Sequence, residues 1–124
     1  MIKLVVLPAS IYLIFAHGCV PAAACVLPAP DGGVENPSPA NLHGTISRID
    51  AAQVQIIRKD GRPTSVAFPK SETIFTAFGG GAEPSDLRVG LTVWIWYVGC
   101  RPAESGLPVP AYFQVYSTDP EDKP

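Results

Sequence analysis

Residues 43–68 read HGTISRIDAAQVQIIRKDGRPTSVAF, and this stretch decides the fold class. His43 to Ile49 alternates in part between apolar and polar residues, and Asp50-Ala51-Ala52 makes a turn. Val54 and Ile56 then alternate with Gln53, Gln55 and Ile57. Asp60-Gly61 is the strongest short hairpin signal, and strand-like residues resume from Thr64 to Phe68. These are strands joined by turns, with no helical period.

The same reading extends outward to the carboxy terminus. Pro69-Lys70-Ser71 breaks the run, and Glu72 to Thr76 predicts a further short strand. Phe78-Gly79-Gly80-Gly81 reads as a mobile connector, and Ser85 is placed to cap one helical turn through Asp86 and Leu87, ended by Gly90. Leu91 to Val98 is the strongest strand, and Ala111 to Tyr116 is the last. The expectation is an all-β domain over residues 42–117, with five to six short antiparallel strands. Closure into a small barrel suits such strands because it removes exposed edges. Residues 118–124 are polar and acidic and are expected to form a flexible tail.

Composition agrees. The chain has 124 residues, 47% apolar and 16% charged, which fits one small folded domain rather than a disordered chain. Fourteen prolines and eleven glycines argue against a helical bundle. The net charge of −2 argues against nucleic acid as a partner.

Toward the amino terminus the character changes. Lys3 precedes the apolar run LVVLPASIYLIFA at residues 4–16, which is too short to span a membrane and is followed by small residues. That order predicts a secretory signal peptide over residues 1–24. Ala22-Ala23-Ala24 offers cleavage before Cys25, and Ala16-His17-Gly18 offers it before Cys19. A cysteine after a small residue at the end of an apolar core resembles a bacterial lipoprotein signal. Cys19 is therefore a lipidation candidate, and Cys25 is the alternative. Residues 25–41 carry VLPAPDGGVENPSPA and read as a proline- and glycine-rich linker. Export places the chain in an oxidising compartment, where Cys25 and Cys100 are a disulfide candidate and a lone buried Cys100 is the alternative.

His43-Gly44-Thr45-Ile46-Ser47-Arg48-Ile49-Asp50, the Asp60-Gly61 hairpin, Glu72-Thr73-Ile74-Phe75 and Ser85-Asp86-Leu87-Arg88-Val89-Gly90 leading into Val93 form one pattern. It resembles the bacterial domain of unknown function 5666, a small secreted or lipid-anchored β-barrel similar to the OB-fold. The resemblance covers about residues 43–116. It implies an OB-like barrel and export, and it transfers no catalytic residue. The chain departs from that pattern at Trp94, Trp96 and Tyr97.

The residues that could carry chemistry are sparse. His43 is the one histidine beyond the signal, and no metal-ligand spacing or nucleophile elbow accompanies it. Asp50, Asp60, Glu72, Glu83 and Asp86 sit at or beside predicted turns, where carboxylates bond backbone amides. No catalytic residue, metal or cofactor is assigned. Trp94, Trp96 and Val98 fall on one face of a strand and Val93, Ile95 and Tyr97 on the other, so an apolar face is left to be covered. Tyr112 and Tyr116 share one face of the last strand. Trp94, Trp96, Tyr112 and Tyr116 are thus a candidate binding surface, unless the proline-rich segments 26–40 or 101–110 cover it. Arg58, Lys59 and Arg62 make a basic hairpin, read as a solvated turn or a contact for anionic headgroups. The sequence predicts an exported, non-catalytic envelope module in the periplasm, on a membrane surface through a lipid, or outside the cell. Its expected partner is an envelope protein or glycan; the alternative is an accessory domain or an enzyme with a dispersed site.

Overall fold

The computed structural model of the 124-residue chain describes residues 24–78 and 80–124. Strands β1 (Leu42–Ile49), β2 (Gln53–Arg58), β3 (Pro63–Ala67), β4 (Ile74–Ala77), β5 (Gly80–Gly81), β6 (Thr92–Tyr97) and β7 (Pro110–Val115) form one sheet. Its order is β3-β2-β1-β6-β7-β4-β5. The described chain is all-β, and three expectations are corrected. Among the described residues there are seven strands rather than five to six, and the sheet is mixed because β4 runs parallel to β7. The sheet is also not closed: β3 and β5 stand at its two ends. A backbone hydrogen bond from the Ala67 amide to the Pro108 carbonyl (2.9 Å) ties the end of β3 to the approach to β7 without pairing them as strands.

The partial alternation of β1 has a local cause. Leu42, Gly44 and Ile46 face the core, and then the register slips between Ile46 and Arg48. The bulge inserts one residue, so the inward parity changes and Ile49 packs against the core. The Ser47 hydroxyl donates to the Gln55 carbonyl at 3.2 Å. Gly44 is required by close approach, because a Cβ there would collide with the Ile57 carbonyl oxygen of β2.

The β2–β3 hairpin turns through Lys59-Asp60-Gly61. Gly61 takes φ +83° and the Asp60 carboxylate accepts from the Arg62 amide at 2.9 Å. The core then assembles from alternate residues: Val54 and Ile56 of β2, Val66 of β3, Val93, Ile95 and Tyr97 of β6, and Phe113 and Val115 of β7.

Three local expectations shift. Glu72 and Thr73 belong to a turn, in which the Thr73 amide donates to the Lys70 carbonyl and its hydroxyl to the Pro110 carbonyl. β4 therefore starts at Ile74. The expected glycine connector contributes β5, whose Gly80 and Gly81 pair with Ala77 and Thr76. The single helical turn is a 3-10 turn over Pro84–Asp86 with Glu83, not Ser85, at its cap.

Both flanking segments are folded onto the sheet. Residues 25–41, expected as a linker, form a closed loop in which Val26 and Ser38 exchange backbone and side-chain hydrogen bonds. Cys25 is bonded to Cys100, with Cα atoms 5.4 Å apart. In the tail, Lys123 Nζ donates to the Gly90 carbonyl at 2.7 Å and the Ser117 hydroxyl donates to Asp122. Nearly all of the expected signal peptide, with Cys19, lies outside the described residues. Among the described residues no helix is long and apolar enough to cross a membrane.

Candidate functional site

The side chains of β6 divide as strand geometry dictates. Val93, Ile95 and Tyr97 enter the core, while Trp94 and Trp96 stand on the outer face of the sheet. Val98, expected beside them, lies beyond the strand in a 3-10 turn and is exposed. An outer face this apolar needs cover, and the structure provides it unevenly.

Trp96 is 7% exposed and Tyr112 only 2%. The two rings meet edge to face at 5.4 Å, and the Thr76 hydroxyl donates to the Tyr112 oxygen at 3.3 Å. Their cover is the 25–41 loop. Trp96 Nε1 donates to the Ser38 carbonyl at 2.6 Å, and Pro28, Ala29 and Pro30 border a groove shared with Tyr112. Asn41 clamps the end of the loop, accepting from the Tyr97 amide and donating to the Cys100 carbonyl, both at 2.9 Å. Trp96 and Tyr112 are thus buried under the chain's own proline-rich segment.

Trp94 and Tyr116 are only half-buried. Strand register sets His43 opposite Trp94, and their rings stack at 4.5 Å with 12° between planes. Tyr116 lies 6.4 Å from Trp94 on its other side, and Phe78, 70% exposed, stacks on Tyr116 at 6.2 Å. An aromatic row therefore crosses the outer face from β1 to the end of β4. His43 and Phe78 were missed as members because each belongs to the row only through its neighbours in other strands. The usable signal for His43 was its place on the outward parity of β1.

Trp94 divides two grooves. One, of about 650 Å³, runs across β1 from β2 to β6 and is lined by His43, Thr45, Ile57, Arg58 and Lys59. The other, of about 370 Å³, is apolar and is bounded by Phe78, Trp96, Gln114 and Tyr116. Pro124 borders both. Partial burial, and then the positive charge of Lys59, hold the His43 imidazole below its ordinary pKa. Comparisons with family models, with curated proteins and with solved structures return no match for this chain.

Three of the turn carboxylates are engaged with backbone amides. Asp50 accepts from the Ala52 and Gln53 amides, Asp60 from Arg62 and Asp86 from Glu83. Among the described residues no group of His, Cys, Asp and Glu is gathered to hold a metal. What the outer face offers chemically is contact: stacking rings, one amide, and two cations at the rim. Cys25, with its sulfur bonded to Cys100, is no longer free to carry a lipid, which leaves Cys19 as the lipidation candidate.

Proposed function

We propose that the chain is an exported, non-catalytic binding module of the bacterial cell envelope, with an OB-like fold of the kind seen in the domain of unknown function 5666. The observation that carries the reading is the accessible aromatic row of His43, Trp94, Tyr116 and Phe78 on the outer sheet face, with a groove on either side of Trp94. Its ligand is an envelope protein or glycan.

Support for the OB-like reading comes from connectivity. The β1-β2-β3 meander pairs β1 with the later β6, and the chain leaving β3 passes to the far side of β7 as β4. Support for export comes from the Lys3-apolar-small order at the amino terminus and from the Cys25–Cys100 disulfide, a bond kept in oxidising compartments. Lipid attachment at Cys19 would hold the module at a membrane surface.

The binding reading is tested by calorimetric titration with envelope polypeptides and glycans, comparing the wild type with Trp94→Ala. Binding that is lost in the variant while its unfolding midpoint is retained supports the reading. Trp94→Ala with undiminished binding overturns it. The intact mass of the mature protein reports cleavage and lipid together: a diacylglyceryl-modified chain beginning at Cys19 supports the anchor, and an unmodified chain beginning at Cys25 removes it.

A further inference from the structure

The outer face already holds chain of one chemical kind. At Trp96 an indole N–H is donated to the carbonyl of Ser38, which lies between Pro37 and Pro39. Proline fixes φ and keeps its neighbours extended, and a carbonyl between two prolines competes with few local donors. An aromatic ring presenting N–H to such a carbonyl is the chemistry by which extended proline-rich segments are recognised. Pro28 and Pro30 run along the same face beside Tyr112, and Pro124 borders the grooves at Trp94. Two proline-bearing segments of this chain, the 25–41 loop and the carboxy-terminal Pro124, therefore lie against one aromatic face.

The aromatic face does not stop where the loop ends. The apolar groove of about 370 Å³ shares Trp96 with the covered part and continues it toward Trp94, Tyr116 and Phe78. It repeats the chemistry of the covered part: Trp94 is half-buried, and its indole N–H has no hydrogen-bond partner among the described residues, whereas Trp96 has one. Gln114, register partner of Trp94, adds an amide at the groove floor. We infer that this groove binds an extended, proline-rich polypeptide segment, with Trp94 Nε1 donating to a carbonyl flanked by proline as Trp96 does for Ser38. This deepens the binding-module reading and rests on it.

The probe is the synthetic peptide VENPSPA, the sequence of residues 34–40, titrated calorimetrically into the full-length protein with its disulfide intact. Controls are the same peptide with both prolines changed to alanine and a neutral tetramer of N-acetylglucosamine. The expected result is saturable binding of the proline peptide, at least tenfold weaker binding of the alanine peptide, and no heat from the oligosaccharide. Trp94→Phe keeps a ring but removes the donor, and it should weaken the proline peptide about tenfold, roughly one hydrogen bond. Equal binding of the two peptides, or an unchanged affinity in Trp94→Phe, overturns the proposed recognition. Oligosaccharide binding without peptide binding overturns it too, but leaves the binding module standing. No binding by any of the three overturns the inference, while the module reading is decided separately by the wider panel with Trp94→Ala.

Discussion

His43 shows how one side chain joins strand register to electrostatics. Its ring stacks on Trp94 because β1 and β6 set the two residues opposite each other, and the stack removes part of the imidazole from water. Burial and the charge of Lys59 both disfavour the protonated form. A base whose pKa is lower in the folded state binds fewer protons there than in the unfolded chain. Its stability contribution is full above the ordinary value of 6.5 and is lost as pH falls through the lowered folded value. The imidazole resonances are expected to titrate with a midpoint below 6.5, and Lys59→Gln should raise that midpoint; a midpoint at or above 6.5 would show that burial and Lys59 do not govern this imidazole. Asp50 works in the opposite chemical sense but with the same sign in pH. Hydrogen bonds from the Ala52 amide, and then from Gln53, stabilise its carboxylate and lower its pKa. Its contribution is present above 3.8 and is lost as pH falls through the lowered value, so Asp50→Asn should soften the acid limb of an unfolding-versus-pH curve.

At the scale of elements, legibility follows the range of the interactions. The β2–β3 hairpin was readable because Asp60-Gly61 dictates its turn chemistry within a few residues. The faces of β6 were readable because alternation is a property of the strand itself. β4 was displaced because Glu72 and Thr73 look strand-like, yet Thr73 anchors a turn through the carbonyl of Pro110, 37 residues away. The parallel pairing of β4 with β7 left no local trace for the same reason. Proline content in residues 26–40 reads as a linker, but composition does not say what such a segment folds against. That depended on Trp96 and Cys100, far along the sequence. Gly44 is the clearest demand that an element makes on one residue. Gly44→Ala would drive a methyl group into the Ile57 carbonyl, so β1 and β2 must part or the strand must flatten. A loss of about 1–3 kcal/mol in urea unfolding is expected; a neutral result would show that β1 is not coiled tightly against β2.

For the whole molecule, the question is how so short a domain holds together. A core of this size supplies only a modest surplus over chain entropy. The Cys25–Cys100 bond spans 75 residues and limits the unfolded chain. In the chain-entropy model a loop of that length is worth about 4 kcal/mol. The double variant Cys25→Ser/Cys100→Ser should therefore unfold at markedly lower urea concentration, and a change under about 1 kcal/mol would show the loop to be held by Trp96 and Asn41 alone.

The disulfide also draws a covalent ring, and β7 lies outside it. Residues 25–100 carry β1 through β6, whereas β7 enters from beyond Cys100 and is inserted between β6 and β4. The connecting residues Arg101 to Leu107 are exposed. A single cut within them would release β7 from the peptide chain while leaving the ring unbroken. Without β7 the sheet falls into two pieces, β3-β2-β1-β6 and β4-β5, because β7 is the strand that joins them. The molecule is thus built as a ring and a removable wedge. A cut protein should migrate as one species on gel filtration, separate into two in denaturant, and regain the intact sheet when the 20-residue-scale fragment is returned to the ring.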